Sequence, residues 1–214
     1  KVISKSKTPK IPTEGDGYDI EEENRLKYRY LDLRRQRMQK NIRLRHKIVT
    51  MVRDFLNSKN FVEIETPYLS KTTPEGARDF IVPSRLNPGK FYALAQAPQQ
   101  YKQLLMLSNF EKYYQIARAF RDEDMRADRQ FEHTQIDIEM AYVTREDILS
   151  LIEELMLILA QKLKLKIAKK PFPVFTYSQA IKQFGNDKFD LRSEKEKKEK
   201  ELAFAWVVDF PLFE

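Results

Sequence analysis

The spacing of apolar positions predicts two helices in the first quarter of the chain. The first runs from Glu21 to about Arg37 and opens on three glutamates, which suit the positive end of a helix dipole. The second follows at once, because apolar side chains recur there at helical spacing. These are Leu44, Ile48, Val52, Phe55 and Leu56.

Segments rich in β-branched and aromatic residues come next, and most succeed one another with short connections. In chain order they are VEIETPYL, DFIVPS, FYALAQ, YYQIARAFRDE and HTQIDIEMAYV. Helical spacing appears between them in APQQYKQLLMLSN and returns in a strongly apolar helix over residues 145–166. This order predicts an α+β fold, with an antiparallel sheet flanked by helices.

The two ends of the chain carry weaker patterns. Residues 1–20 hold two prolines and two glycines without periodicity, which predicts a linker or arm. The last residues, AFAWVVDFPLFE, are typical of a strand, and position 1 is Lys, so we expect a piece of a longer protein. There is no signal peptide and no apolar run near 18 residues, which disfavours secretion and membrane spanning.

Composition narrows the chemistry. The 214 residues are 42% hydrophobic, enough for a core, and the absence of cysteine excludes thiol nucleophiles and fits a reducing cytoplasm. Two histidines leave little room for a histidine-rich metal site. The five glycines form no phosphate-loop pattern, so any nucleotide must be held without a glycine-rich loop.

Charge is concentrated near the start of the chain. The net charge is +7, yet residues 24–47 alone contain ten Lys/Arg against one acid, Asp32, which is a local charge of +9. Two interpretations stay open: arginines paired with acids elsewhere, or a surface that faces nucleic-acid phosphates. By contrast, SEKEKKEKE over 193–201 is nearly neutral and predicts a solvated helix or loop.

Alternation along residues 113–130 separates two faces of a strand. One face carries Gln115, Ala117, Ala119, Arg121 and Glu123, and the other carries Tyr114, Ile116 and Phe120. Small residues that lead to an arginine and a glutamate are typical of a floor beneath a ligand. The alternative is an ordinary ion pair between Arg121 and Glu123 at the strand end.

The next strand-like segment, residues 133–143, alternates in the same way. Gln135, Asp137 and Glu139 fall on one face, where they need cations, a metal ion, an ammonium ligand or water, because burying them unpaired is costly. We expect Asp137 and Glu139 to line a pocket. His133, at the strand start, is expected to be a hydrogen-bonding boundary residue.

Two further segments carry candidate binding groups. The tripeptide PEG predicts a turn that holds Glu75 on a loop that is able to serve as a lid. If Pro98 opens the following helix, Gln99 and Lys102 are three residues apart and share one face. An amide and an ammonium on one face could recognise a carboxylate and an amine, and a solvated helix face is the alternative.

Taken in order, these segments closely resemble the catalytic core of class II aminoacyl-tRNA synthetases, specifically the bacterial aspartyl type. The resemblance is carried by RLKYRYLDLRR, FVEIETPYL, TTPEGARDF, PSRLNPGKFYALAQAPQQYKQLLM, YYQIARAFRDEDMRADRQ and HTQIDIEM. It extends from about residue 1 to 192 and resumes at 204–214. Lysyl and asparaginyl relatives share the fold and the RDE signature, but PEGARDF followed by the spaced Gln and Lys resembles the aspartyl pattern.

The resemblance implies roles for residues of two motifs. FVEIETP, with Pro67, is similar to motif 1, which builds a dimer interface. FRDEDMRADRQ is similar to motif 2, whose arginine, here Arg121, contacts the ATP α-phosphate and the amino-acid carboxylate. Asp122, Glu123 and Gln130 are the remaining implied ATP-binding residues, with Glu123 on the adenine side.

Recognition of aspartate and of tRNA is implied for a second set of residues. Glu75 on its loop, with Gln99, Lys102 and Arg121, resembles the aspartate-binding set, and Arg126 would approach the tRNA acceptor end. A cationic Lys102 would be satisfied by the substrate side-chain carboxylate and left unpaired by the amide of asparagine, which predicts strong rejection of asparagine.

The implied activity is that of an aspartate–tRNA ligase. ATP and aspartate would give aspartyl-adenylate and pyrophosphate, and tRNA(Asp) would then accept the aspartyl group. The resemblance implies ATP and Mg²⁺ as cofactors, with no metal ligands assigned, and a cytoplasmic homodimer. Two alternatives stay open: an asparaginyl or asparagine-forming ligase on the same fold, and a non-catalytic tRNA-binding protein derived from a synthetase.

The chain departs from the family pattern in several places. Motif 3 and the N-terminal anticodon-binding barrel are absent, so we expect the 214 residues alone to be nearly inactive. The predicted organisation is a linker from that barrel over 1–20, a catalytic core over 21–192, a charged segment over 193–201 where an insertion domain is usual, and a returning core strand over 202–214. QFEH replaces the usual QPEF after Gln130, and Ala97 stands where serine is usual.

Overall fold

The computed structural model describes residues 3–5, 7–73, 75–126 and 129–213. Two compact units divide the chain after Arg53. The first unit contains helices α1 (Glu22–Lys27) and α2 (Arg29–Asp32) and most of α3 (Gln36–Ser58), whose last residues belong to the second unit.

The single helix predicted from Glu21 to Arg37 is wrong. Tyr28, at φ −108° and ψ 44°, leaves the helical region between α1 and α2, and a second turn separates α2 from α3. Arg35 lies in that turn, and its guanidinium donates to the backbone carbonyl oxygens of Pro12 and Glu14. A helical period in the sequence carries no information about such distant contacts, which override local propensity.

A buried carboxylate organises the basic segment of the first unit. The side chain of Asp32 is completely buried and lies 3.1 Å from Arg25 Nε and 3.0 Å from Arg35 Nε, with Arg29 as a third partner. Arg35 is itself 1% exposed. Because the local charge of +9 already counts Asp32, these contacts leave that excess unchanged. They take up three of the ten cations, and the acid is the segment's own, so pairing with acids elsewhere is not what these three arginines show.

Residues from the predicted linker contact Arg35 and Arg37. Ile11 is buried, and the Arg37 guanidinium lies 4.4 Å from the centre of the Tyr18 ring. Gly17 has a φ of 80°, and a β-carbon there would lie 2.6 Å from Arg35 Nε, so both backbone conformation and space require glycine. The described part of residues 1–20 thus belongs to a packed unit, while what precedes it stays a prediction.

The second unit contains eight strands and four complete helices within the described residues. Its strands are β1 (Val62–Glu63), β2 (Leu69–Ser70), β3 (Ile81–Pro83), β4 (Phe91–Leu94), β5 (Lys112–Phe120), β6 (Glu132–Met140), β7 (Val174–Thr176) and β8 (Trp206–Val208). Its helices are α4 (Gln99–Leu107), α5 (Arg145–Lys162), α6 (Tyr177–Phe184) and α7 (Glu194–Lys198).

The predicted α+β class is confirmed, but the single predicted sheet is divided into three in the described part of the chain. Their strand orders are β1–β5–β6, β2–β4–β3 and β7–β8. The β5–β6 and β2–β4–β3 pairings are antiparallel as expected, whereas β1–β5 and β7–β8 are parallel. Between β1 and β5 the chain forms the whole second sheet and α4, the kind of long crossover that a parallel pair requires.

Two of the predicted helices are confirmed with shorter bounds. Thr144 and Asp147 form a capping box at the start of α5, which ends at Lys162 rather than at residue 166 because Lys164 takes a positive φ of 57°. Ser193 caps α7 in the same way, and this charged helix is exposed as predicted. No helix of the described ranges is long and apolar enough to cross a membrane.

Only part of the predicted C-terminal strand is a strand. β8 covers three residues, and its Trp206 indole donates to Glu153 of α5 over 3.4 Å. The same carboxylate accepts from the Phe172 backbone N–H over 3.0 Å, and the rings of Phe172 and Phe204 stack at 5.0 Å. Aromatic packing and one shared acceptor therefore hold the β7–β8 pair against α5.

Replacing Asp32 by Ala should loosen the first unit locally. Buried Arg35 loses its counter-charge, and such a loss costs about 3 kcal/mol. Hydrogen exchange at the Arg35 amide, which donates to the Asp32 carbonyl over 3.1 Å, reports the opening. Glu23→Ala, which removes an exposed acid of α1, is the matched control and should leave exchange unchanged. Equal protection in both variants would show that the cluster does not stabilise the unit.

Acid should loosen the same cluster only below about pH 4. Burial tends to raise the pKa of the Asp32 carboxyl, but hydrogen bonds from Arg25 and Arg35 and the nearby guanidinium charges outweigh it, and the pKa lies below its ordinary value of 3.8. The stabilising contribution is therefore complete above pH 3.8 and is lost as the pH falls through the lowered value. Protection of the Arg35 amide should stay constant from neutral pH to about pH 4.

Candidate active site

The pairing of β5 with β6 builds a polar face across two strands. Gln115 pairs with Asp137 and Ala119 with His133, and directly opposed residues of antiparallel strands point to the same side. Ala117 and Ala119 are buried, which agrees with the predicted floor. The two pairs are roughly 13 Å apart along the strands at about 3.3 Å per residue. An elongated ligand could therefore lie along this face.

Lys102 lies at one end of this face and joins α4 to β6. Its Nζ is 2.9 Å from Asp137 Oδ1 and 3.2 Å from Glu139 Oε2, and the lysine is only 9% exposed. The predicted need of Asp137 and Glu139 for a cation is thus confirmed. Burial tends to lower the pKa of Lys102, but the hydrogen bond and charge of Asp137, with the charge of Glu139, outweigh it and raise the pKa above 10.5.

This geometry corrects the predicted basis for rejecting asparagine. The prediction held that an amide substrate would leave Lys102 as an unpaired buried charge. Lys102 instead has two carboxylate partners from its own chain, Asp137 and Glu139, whatever the substrate. Any discrimination must therefore come from the charge balance of the whole cluster rather than from an isolated ammonium.

A neutral hydrogen-bond network lies beside this cluster, and sequence reasoning did not predict it. The hydroxyls of Tyr113 and Thr66 both donate to Gln115 Oε1, over 2.8 and 2.9 Å, and Gln115 Nε2 donates to the Tyr68 hydroxyl over 3.4 Å. Burial, followed by the charge of Asp137, raises the pKa of Tyr113 well above its ordinary value. The phenol therefore stays a donor and holds the Gln115 amide in one orientation.

The loop that carries Glu75 is held by a buried amide. Gln96, which is 1% exposed, accepts from the Ala77 N–H over 3.2 Å and donates to the Ala77 carbonyl over 2.9 Å and to the Asp79 carboxylate. Gly76 has the positive φ, 89°, that the predicted turn requires, while Pro74 lies outside the described residues. Gln96 was not predicted as a site residue, although it stands in the quoted segment FYALAQ.

Arg121 follows the last residue of β5, at the opposite end of the polar face. Its N–H donates to the Phe131 carbonyl over 2.8 Å, which ties the strand ends together. Its side chain lines a cavity of about 380 Å³ together with Glu123, Arg129, Gln130 and His133. The alternative of an Arg121–Glu123 ion pair is not observed, because Glu123 pairs with Arg129 at 3.5 Å.

The remaining predicted residues occupy varied positions. Pro98 immediately precedes α4, so Gln99 and Lys102 fall three residues apart in one helix as predicted.

Asp122 uses its backbone N–H and carbonyl in contacts with Arg78, over 3.0 and 3.1 Å, so these groups are not available to a ligand. Arg126 forms a backbone bridge with Arg129, and residues 127–128 lie outside the described ranges. His133 lies near the start of β6, as predicted, and also lines the cavity.

Three buried side-chain atoms of the second unit have no hydrogen-bond partner among the described residues. They are Glu75 Oε1, Asp137 Oδ2 and Arg121 Nε, two carboxylate acceptors and one guanidinium donor. Buried polar atoms without partners are costly, so each is an opening for a ligand group. A molecule that carries both an ammonium and a carboxylate would offer partners to both kinds of atom.

A larger cavity of about 520 Å³ lies beside β2, β4 and α4, between Leu69, Tyr101 and Leu104. None of the unpartnered atoms belongs to its lining residues, although Lys71 and Lys90 are among them. The described residues also contain no cluster of three or more histidines and acids that could hold a metal ion. The polar face of β5 and β6 is therefore the candidate active site.

Known proteins resemble the chain over most of its length. Residues 21–213 match the family described as tRNA synthetases class II (D, K and N). An aspartate–tRNA(Asp/Asn) ligase from Syntrophomonas wolfei subsp. wolfei is 56% identical over 191 residues, which cover 89% of this chain and 32% of the relative. An aspartate–tRNA ligase from Geobacillus kaustophilus is 55% identical with the same coverage. The chain therefore spans about a third of the length of these relatives.

A solved structure agrees in fold. The crystal structure of a protein from Leishmania major Friedlin, provisionally assigned as an aspartyl-tRNA synthetase, superimposes with a TM-score of 0.61 at 26% identity. The match covers 68% of this chain and 28% of that one. With the family match over residues 21–213, the conclusion is direct: the chain belongs to the class II tRNA synthetases of the D, K and N family.

Proposed function

We propose that the protein to which this chain belongs activates aspartate with ATP and transfers the aspartyl group to tRNA(Asp). The observation that carries this proposal is a set of three buried atoms without partners: acceptors on Asp137 of β6 and on Glu75 of its loop, and a donor on Arg121 after β5. An amino acid carries the complementary ammonium and carboxylate. The relatives named aspartate–tRNA ligase support the choice of amino acid and reaction.

In the first step an aspartate carboxylate oxygen attacks the α-phosphorus of ATP, and the bond to the β-phosphate oxygen breaks with loss of pyrophosphate. The attack brings two anions together, which costs free energy unless a cation lies between them. The guanidinium of Arg121 has a free donor at the end of the polar face and is planar enough to bind both groups. Its role would be to position the anions and to stabilise the transition state.

In the second step a terminal hydroxyl oxygen of the tRNA attacks the activated carbonyl carbon. The bond between that carbon and the phosphate oxygen breaks, AMP leaves, and the hydroxyl proton is released. No described side chain stands out as a covalent nucleophile, so positioning is the protein's contribution here as well.

The cluster around Lys102 would bind the amino-acid side chain. Its Nζ is anchored by Asp137 and Glu139 and has donor capacity for a third acceptor, which the aspartate β-carboxylate would supply. The free Oδ2 of Asp137 and Oε1 of Glu75 are candidates for the substrate ammonium, and Gln99 lies one helical turn before Lys102. Bound aspartate would thus place its ammonium beside these carboxylates and its β-carboxylate beside Lys102.

ATP and Mg²⁺ would enter together, with Glu123 and Gln130 beside the nucleotide in the cavity that Arg121 lines. The phosphate oxygens of ATP would hold the ion, since Mg²⁺ prefers hard oxygen ligands and commonly binds through substrate phosphates. Asp122 stays a predicted ATP-binding residue through its side chain alone.

Macromolecular partners complete the proposal. The exposed cations among residues 24–47 and Arg126 remain the candidates to meet tRNA phosphates, with Arg25, Arg29 and Arg35 withdrawn to Asp32. Pro67 is exposed in the loop after β1, and large apolar side chains near it are exposed too. These are Val62, Tyr68 and Leu69. An exposed apolar surface of this kind supports the proposed homodimer.

Replacing Arg121 by Ala in the full-length natural protein should nearly abolish ATP–pyrophosphate exchange. Loss of one donor that binds developing charge costs about 10² to 10³ in rate, and here the same group holds both anions. Arg118→Ala is the matched control: Arg118 lies on the same strand three residues away, is half exposed, and pairs with Glu132 instead. Exchange that survives in the Arg121 variant would refute its assigned role.

Replacing Lys102 by Met should lower kcat/KM for aspartate by about 10² or more, because the site loses the cation that faces the β-carboxylate. Adenylate formation with aspartate and with asparagine measures the change in preference. Lys112→Met, which removes a lysine that donates to the Lys59 carbonyl over 3.3 Å, is the control and should have little effect. Activation of asparagine by the natural protein would overturn the choice of substrate.

A further inference from the structure

Residues 75–79 form a loop that is attached to the second unit at two separate points. One attachment reaches back to Gln96, between β4 and α4, and the other reaches Asp122, directly after Arg121. The loop carries Glu75 at one end of this stretch. The loop therefore contacts the segment that leads into α4, the helix of Lys102, and also the residue that follows Arg121.

The attachment to Gln96 fixes the middle of the loop. The Gln96 side chain satisfies both backbone groups of Ala77 and also donates to the Asp79 carboxylate. A glutamine can do this because its amide accepts and donates at once, which neither a carboxylate nor an apolar side chain of that size can. The flanks of Arg78 are thus held in place while the arginine itself points elsewhere.

The attachment to Asp122 is made by Arg78 alone. The Asp122 N–H donates to the Arg78 carbonyl over 3.0 Å in an antiparallel bridge, and Arg78 Nε donates to the Asp122 carbonyl over 3.1 Å. Both backbone groups of Asp122 are therefore held by one residue of the loop. The Arg78 side chain is otherwise 73% exposed, and its contact with Asp124, at 3.9 Å, is long and solvated.

We infer that Arg78 is a positioning residue that couples the Glu75 loop to Arg121 through the backbone of Asp122. The inference rests on the proposed function, since it assigns Glu75 and Arg121 to amino acid and ATP. The Asp122 N–H and carbonyl belong to the two peptide units that flank its α-carbon, and both are held by Arg78. The first of these units begins at the Arg121 carbonyl carbon, so the loop restrains the backbone from which the Arg121 side chain extends. If a substrate bound at Glu75 restrains the loop further, it also favours one geometry of Arg121, and by reciprocity a ligand bound at Arg121 restrains the loop.

Arg78→Ala in the full-length natural protein is the direct test. It removes the side-chain hydrogen bond but leaves a backbone bridge possible, and the exposure of the side chain makes unfolding no concern. We expect amide hydrogen exchange to accelerate about fivefold at Asp122 and at Ala77, whose N–H is held by Gln96 rather than by Arg78. The KM values for aspartate and ATP should both rise about fivefold, with a smaller change in kcat.

Two further variants frame the result. Arg145→Ala removes another exposed, ion-paired arginine, at the start of α5, and should change neither exchange nor KM. Gln96→Glu perturbs the opposite attachment, because a carboxylate cannot donate to the Ala77 carbonyl, and it should also accelerate exchange at Asp122. If the Gln96 and Asp122 attachments were independent, Gln96→Glu would leave exchange at Asp122 unchanged.

The outcomes separate the coupling from the proposed function. Unchanged exchange at Asp122 in both loop variants overturns the coupling, whether or not the protein forms adenylate. Faster exchange with an unchanged KM for ATP overturns it too, because Arg121 would then be positioned without Arg78. A natural protein that forms no adenylate, yet shows the linked exchange, would refute the proposed function and leave the coupling supported.

Discussion

The buried ion cluster of Lys102 with Asp137 and Glu139 is the interaction on which the architecture of the site depends. It is the contact that joins α4 to the longest antiparallel pair of the fold, and it explains why a strand carries acids on a face that is largely covered. Two carboxylates around one ammonium leave an excess negative charge and one free oxygen, Asp137 Oδ2. The cluster is therefore stable enough to fold, yet it remains incomplete without a ligand.

The same principle holds at the other end of the polar face. Arg121 has a buried donor without a partner among the described residues. Glu123 is only two residues away, and the sequence alone would allow the two side chains to pair. Glu123 pairs with Arg129 instead, so the guanidinium stays directed to the cavity. Preorganised charges that are satisfied only by a ligand are how a site binds charge without reorganising. In a chain with few glycines, the proposed function assigns to side chains the phosphate-binding role that backbone amides have in glycine-rich loops.

The first unit shows the opposite use of arginine. There the Asp32 carboxylate forms ion pairs with guanidinium groups inside the unit. Arg35 also donates hydrogen bonds to the backbone carbonyls of Pro12 and Glu14. A run of basic residues that reads as one surface in the sequence is therefore divided into structural and exposed members. Charge counts alone cannot make this division, because it depends on which carbonyls and carboxylates the folded chain brings within reach.

By itself the sequence determined the α+β class, the two faces of β5 and of β6, and the placement of Gln99 and Lys102 three residues apart on one helix. Its ordered motifs also determined the family. Each follows from a short-range rule, a period of two or of 3.6 residues or a local turn. Only the tertiary structure decided that Lys102 meets carboxylates of its own chain, that Gln96 and Arg78 anchor the loop, and that the first helix breaks at Tyr28. The contacts of Lys102, Gln96 and Arg78 join residues 17 or more positions apart, and no local period specifies which partner a buried charge or amide will reach.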